Sequence, residues 1–236
     1  MMFQRTELLL GKEGLEKLKK SHIIVFGLGG VGGYVVEALV RVGIQEITVV
    51  DFDTIDITNL NRQIIATQNT IGNYKADAIK ERILSINPEA KVNAYREKFT
   101  EETSSIFFND DSKYSYVIDA IDLVKYKIKI IELSKEKKIP VISCMGTGNK
   151  LNPEMLKISD ISKTSVCPLA KVVRKELKKR RINKVKVLYS EEVPKKPINE
   201  EGSREKKVNV GSVSFVPSVA GLIIASQVVK DICGIK

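Results

Sequence analysis

Gly27-Leu28-Gly29-Gly30-Val31-Gly32-Gly33 lies between the apolar run Ile23-Ile24-Val25-Phe26 and a stretch, Val31 to Val42, whose apolar residues recur at helical spacing. Glycines in such a turn let the backbone reverse tightly and approach a phosphate. The helix that follows offers free N–H groups and a partial positive charge. Strand, glycine turn and helix in this order read as a nucleotide site.

Outward from the turn, the pattern alternates. Ile47 to Val50 is a second buried-strand run, and Ala76 to Ile86 reads as a helix stopped by Asn87-Pro88. Lys91 to Tyr95 is a weaker strand, Tyr116 to Ile121 a strong one, Val124 to Leu133 a helix and Ile139 to Ser143 a strand before Gly146-Thr147-Gly148. Alternation of this kind predicts an α/β, Rossmann-like, mostly parallel sheet with helices on both faces over residues 1–150. Ligands of such sheets bind beyond the carboxyl ends of the strands.

After residue 150 the rhythm changes, and an α+β extension over residues 151–236 is expected within the same globular unit. Leu156 to Ile161 and Lys186 to Tyr189 read as strands, and Leu169, Val172, Val173 and Leu177 as one face of a helix. Residues 191–209 hold two prolines, a Gly-Ser and many charges, and read as a mobile loop. Pro217 suits the first turn of a last helix with Val219, Leu222, Ile223, Ser226 and Val229 along its packing side.

The composition excludes several chemistries. The 236 residues carry 39 Lys+Arg, 29 Asp+Glu and one histidine, a formal net charge of +10. A chain of this length buries a sizeable core without disulfide or metal. His22 directly precedes a buried run and reads as a strand-edge residue, so a His-rich metal site is out. Cys144, Cys167 and Cys233 form no C-x-x-C pair, which excludes a four-cysteine zinc site. Cys144 and Cys233 read as packing thiols. Cys167, before Pro168 at a helix start, is a candidate reactive thiol. The N-terminus shows no leader pattern and Val219 to Ala225 is too short to span a bilayer, so a cytoplasmic protein with no membrane partner is expected.

Asp51 ends the second strand 19 residues after Gly32, where a carboxylate can take a ribose hydroxyl. To this point an NAD site fits equally well. The segment Asp51-Phe52-Asp53-Thr54-Ile55-Asp56-Ile57-Thr58-Asn59-Leu60-Asn61-Arg62-Gln63, with Lys75 thirteen residues after Arg62, turns the reading toward a triphosphate. Attack at an α-phosphorus builds charge that fixed cations must meet. Arg62 can fork onto phosphate oxygens, Lys75 supplies a point charge, and Asp122, beyond the fourth strand, can hold magnesium. Each residue alone also fits an ordinary role: a surface Arg, a surface Lys, a capping Asp.

G-x-G-G-x-G, D-x-D, N-L-N-R-Q, a lysine and D-A-I-D together resemble the ubiquitin-activating-enzyme-like adenylyltransferases, the ThiF/MoeB/HesA group, over residues 5 to 150. The resemblance implies ATP bound by Gly27, Gly29, Gly30, Gly32 and Asp51, phosphates held by Asn59, Arg62 and Lys75, and magnesium at Asp122. Arg5, in R-x-E-L-x-x-G, resembles the arginine that such homodimers donate to the neighbouring site, so Arg5, Arg62, Lys75 and Asp122 are the implied catalytic set. Carboxyl adenylation needs alignment and charge stabilisation but no general base, because a carboxylate is already ionised at neutral pH. The lack of a Ser/His or Cys/His arrangement is therefore no obstacle.

The second half carries a finer resemblance. Ile158-Ser159-Asp160-Ile161-Ser162-Lys163-Thr164, Pro168-Leu169-Ala170-Lys171-Val172-Val173-Arg174 and Phe215-Val216-Pro217-Ser218-Val219-Ala220-Gly221-Leu222 are similar to the tRNA threonylcarbamoyladenosine dehydratase branch, in which the Cys167 position is usually Asp. Independently, Lys171 to Lys186 holds nine Lys/Arg and one acid, +8 in sixteen residues. Lys171, Arg174, Lys175, Lys178, Lys179, Arg180 and Arg181 are the candidate contacts to a phosphate backbone. The expected activity is ATP-dependent adenylation and cyclisation of a tRNA modification. The alternative is an adenylyltransferase activating a ubiquitin-like sulfur carrier. Expected partners are the modified tRNA, a second copy of the chain and sulfur-relay proteins.

Overall fold

The computed structural model describes residues 2–196 and 210–235. In chain order the elements are α1 (Gln4–Lys19), β1 (His22–Phe26), α2 (Gly32–Val42), β2 (Glu46–Val50), α3 (Lys75–Ile86), β3 (Lys91–Tyr95), α4 (Ser104–Phe107), β4 (Tyr116–Asp119), α5 (Val124–Glu136), β5 (Val141–Cys144), β6 (Leu156–Asp160), α6 (Pro168–Lys179), β7 (Lys186–Ser190) and α7 (Phe215–Cys233). The strands form one sheet in the order β3-β2-β1-β4-β5-β7-β6. Every pairing is parallel except β6 with β7, which runs antiparallel at the edge. The expected α/β architecture with a mostly parallel sheet is what the chain adopts, and the strands after residue 150 extend that same sheet.

The central strands are continuous apolar runs because both of their faces are covered. On one side, Ile23, Val25, Val35, Leu39, Ile47, Ile79, Ala220 and Ile224 share a core under α1, α2, α3 and α7. On the other, Ile24, Phe26, Val117, Ile130 and Val141 pack with Phe99, Phe107 and Phe108. A third cluster joins α5 to α6 and β7 through Ile128, Ile131, Val173, Leu177 and Val187. His22 opens β1 and its Nε2 lies 2.8 Å from Thr48 Oγ1, the strand-edge role expected of it.

Helix α1 had no counterpart among the expected elements, because Gly11, at φ 73°, breaks its helical period and Leu8 and Leu9 face outward, 82% and 85% exposed. Two expectations need correction. In α6 the buried face is Ala170, Val173 and Leu177, while Val172 is 48% exposed. In α7 the packing side is Val216, Pro217, Ala220, Gly221, Ile224, Ala225 and Val228, and Leu222 and Ser226 are exposed. That helix is apolar nearly all round, so its period is weak. By length and composition alone α7 could cross a membrane, but it packs along α1 and α2 as a core helix. Gly221 allows the close approach, since a Cβ there would lie 2.5 Å from the Val31 carbonyl oxygen.

Of the loop expected over residues 191–209, the part 197–209 lies outside the described residues. The part before it is tied down. The Glu192 carboxylate accepts from the Leu151 and Asn152 amides, and the Lys195 amide donates to the Asn149 carbonyl.

Candidate functional site

Sheet order reverses between β1 and β4, and there the crevice opens beyond the strand carboxyl ends. A cavity of about 350 Å³ fills it, lined by residues from four strand ends. Gly27, Gly29, Gly30, Asp51, Asn59, Arg62, Lys75 and Asp122 all line it. Spacing already tied the glycines to Asp51, but Arg62, Lys75 and Asp122 are residues that sequence spacing alone could not join to them.

The glycine turn is shaped by backbone contacts. The Gly27 amide donates to the Val50 carbonyl at 2.9 Å, and the residue sits at φ +86°, where a Cβ would meet the Ala120 carbonyl oxygen at 2.8 Å. Gly32 lies outside the cavity, in the first turn of α2, where a Cβ would collide with the Gly27 carbonyl oxygen at 1.8 Å. The absence of a Cβ there lets the turn close.

Asp51 bridges the turn to the end of β2. Its Oδ2 accepts from the Leu28 amide at 2.7 Å and its Oδ1 from the Asp53 amide at 2.9 Å. Burial raises its carboxyl above the usual range, with Lys75 and the two amides pulling the other way. Each carboxylate oxygen keeps a second lone pair that a hydroxyl can use. Asn59 is buried, and its Oδ1 accepts from the Asp56 amide at 3.2 Å, which leaves its amide group as a donor. Arg62 is braced by the Thr58 carbonyl and by Asn61 Oδ1, each at 2.9 Å. Lys75, at the start of α3, is buried and donates to Asp53 Oδ2 at 2.8 Å. Asp122 is exposed at the rim.

Other lining residues were not picked out from the sequence. Lys98 follows β3, with its ammonium 5.2 Å from the centre of the Phe52 ring and 5.9 Å from that of Tyr126. The signal was there: they follow the ends of β3, β2 and β4, where ligands of such sheets bind. Gln63 lines the cavity, and its buried Oε1 has no hydrogen-bond partner among the described residues, an orphan group of the kind a bound ligand satisfies.

Arg5 does not join this cavity. It lies on α1 in a separate groove with Leu9, Ala38, Leu222, Val229 and Ile235. On α6, Lys171, Lys175, Lys178 and, just beyond the helix, Arg181 are exposed. Lys179 and Arg180 pair with Glu176, and Arg174 turns inward to the Thr164 carbonyl at 2.8 Å. Cys167 is buried at the α6 start, and the Cys144 thiol is buried and pushed up to about 12, so neither is presented as a nucleophile. Among the described residues no cluster of three or more His, Cys, Asp or Glu could hold a metal unaided.

A doubly wound parallel sheet with a glycine turn and a polar, cation-bearing crevice at its switch point is the architecture of a ligand-binding α/β protein. The chain belongs to the ThiF family, whose model matches residues 3–236. It is similar to the tRNA threonylcarbamoyladenosine dehydratase of Bacillus subtilis, with 47% identity over 240 residues covering 98% of this chain and 94% of the relative. Its fold is similar to the Escherichia coli tRNA N6-threonylcarbamoyladenosine dehydratase TcdA in complex with ATP, at TM-score 0.89 and 32% identity over 99% of this chain and 94% of that one. The same enzyme in complex with AMP matches at TM-score 0.89 and 33% identity, with the same coverage.

Proposed function

We propose that this protein is an ATP-dependent tRNA threonylcarbamoyladenosine dehydratase. The observation that carries the reading is the meeting of Asn59, Arg62, Lys75 and Asp122 over the glycine turn in one cavity, in a chain that matches the dehydratases end to end. Asp51 takes the ribose, and Arg62 and Lys75 meet the charge that develops as the modification's carboxylate attacks the α-phosphorus of ATP. Pyrophosphate leaves with its bonding electrons, and an acyl-adenylate remains. A nucleophile of the same modification then attacks the activated carbonyl carbon, the ring closes, and AMP departs. Because both partners of the second step belong to one molecule, effective molarity replaces an enzyme nucleophile.

Magnesium fits the residues present. The ion is commonly held by one or two carboxylates together with substrate phosphates, and Asp122 supplies one carboxylate at the cavity rim. When bound, it would neutralise phosphate charge. The exposed cations of α6 would take the tRNA backbone. The groove around Arg5, flanked by Leu8 and Leu9, suits a homodimer in which Arg5 reaches the neighbour's nucleotide. A cytoplasmic location is part of the same reading.

The test is incubation with ATP, magnesium and tRNA carrying the modification. AMP and a nucleoside lighter by one water are expected. A folded preparation that binds ATP but forms no AMP on this tRNA overturns the proposal, and recovery of a small partner ending in Gly-Gly would favour sulfur-carrier activation instead.

A further inference from the structure

Four residues of the nucleotide cavity, Ala120, Ile121, Asp122 and Leu123, come from the single turn between β4 and α5, and a fifth, Tyr126, comes from the first turn of α5. Asp119 and Lys127 flank that turn, and the side chains of both are fully buried. Lys127 Nζ donates to Asp119 Oδ2 at 2.8 Å, to the Cys144 carbonyl at 2.9 Å and to Ser143 Oγ at 3.4 Å. Ser143 Oγ donates to the same Asp119 oxygen at 2.5 Å. The other carboxylate oxygen, Oδ1, accepts from the Ile121 amide at 3.2 Å, inside the turn. The pair therefore closes the turn at its base and fastens it to the carboxyl end of β5.

Nothing in the adenylation chemistry calls for this pair, and neither residue lines the cavity. A buried ion pair is also a poor source of stability, since apolar residues of similar volume often do as well or better. What ions and hydrogen bonds supply here is direction. One carboxylate oxygen is fixed by two partners, Lys127 and Ser143, so the other is aimed at the Ile121 amide. We propose that Asp119 and Lys127 are positioning residues, a buried clamp that holds the β4–α5 turn, and Asp122 with it, in the geometry that receives the ATP phosphates. The inference rests on the reading of this cavity as an ATP site.

The clamp separates from a merely structural role by comparing stability with affinity. Lys127→Met leaves the Asp119 carboxylate buried and unpaired, and a fall in Tm is expected. The double variant Asp119→Asn with Lys127→Met removes both charges and recovers Tm. Its ATP affinity, measured by calorimetry, stays about tenfold weaker than that of the unaltered protein, the size of effect typical when a group that orients a ligand-binding residue is lost. Amide exchange over residues 120–126 is faster in the ligand-free double variant, while β1 and β2 are unchanged. The double variant carries the test even if Lys127→Met alone does not fold. A double variant with recovered Tm, full ATP affinity and unaltered exchange overturns the clamp. Failure of the unaltered protein to bind ATP defeats the ATP reading instead, and exchange over residues 120–126 still decides whether the clamp holds the turn.

Discussion

Lys75 is bound to Asp53 twice: its ammonium donates to Asp53 Oδ2 at 2.8 Å and its backbone amide donates to the Asp53 carbonyl at 2.9 Å. The start of α3 is thereby fixed against the segment that leaves β2, and the Asp53 amide is in turn held by Asp51. A buried ammonium with one of its three donors committed keeps two for phosphate.

Lys75→Met should thus remove charge stabilisation from the transition state and cost about 10²- to 10³-fold in turnover. Asp53→Asn keeps the cation but loosens its position, and a smaller loss, about tenfold, is expected. Single-turnover AMP formation on modified tRNA measures both. Equal losses in the two variants would mean that Asp53 does more than hold Lys75.

The glycine turn separates two kinds of glycine. Gly32→Ala puts a Cβ 1.8 Å from the Gly27 carbonyl oxygen. No side chain can move aside there, so the turn must open, and ATP binding should be abolished with a fall in Tm. Gly30→Ala meets Pro217 Cβ at 3.1 Å and Arg62 Cγ at 3.4 Å. Its expected effect is a preserved Tm and weakened ATP affinity. Thermal melts with and without ATP distinguish the two.

The strands were legible because parallel strands covered on both faces are unbroken apolar runs, as Ile23 to Phe26 is. Arg62, Lys75 and Asp122 could each be named from its chemistry, but only the family resemblance joined them into one site. They come from three separate stretches of chain, and the sheet order, not their spacing, brings them together. The packing side of α7 was misread because Val219, Leu222 and Ile223 are as apolar as the buried Val216, Ile224 and Val228, so burial there is decided by what α1 and α2 present. Gln63 was passed over because nothing in a sequence reports that a buried amide lacks a partner.

On α6, pairing sorts cations that look equivalent in the sequence. Lys179 and Arg180 spend charge on Glu176, whose carboxyl their hydrogen bonds hold below the usual range. Lys175, Lys178 and Arg181 are exposed. Reversing these three to Glu should weaken tRNA binding and lower the salt slope of log K by about two to three. ATP affinity should not change. Anisotropy titrations at several salt concentrations are the check, and an unaltered slope would remove α6 from the tRNA interface.

His22 is the only histidine, so its titration can be followed alone. Burial lowers its pKa below 6.5, helped by Lys91 and opposed by Glu46. The unfolded chain therefore takes up a proton at a pH where the folded chain still refuses it. Its contribution to stability is constant above about 6.5 and declines as pH falls from there to the folded-state value. Its ring resonance should titrate below 6.5, and His22→Gln should flatten the change in denaturation midpoint between pH 7.5 and 5.5 relative to the unaltered protein. A midpoint above 6.5 would mean that Glu46 outweighs burial.

Arg5 lies in a different groove from Lys75 within one chain, so the two can serve one nucleotide only if Arg5 belongs to a second copy. Arg5→Ala and Lys75→Met should each be nearly inactive alone. In a two-fold symmetric dimer formed from one of each, the subunit with Ala at position 5 keeps its own Lys75 and receives Arg5 from its partner, which makes one intact site. The other site lacks both groups. Random exchange leaves half of the dimers mixed, so remixing after mild dissociation should restore about a quarter of the unaltered activity. Were Arg5 to act within its own chain, no dimer would contain an intact site and the mixture would stay inactive. Measuring AMP release before and after mixing decides between the two arrangements, and a chain that sediments as a monomer would rule out the first.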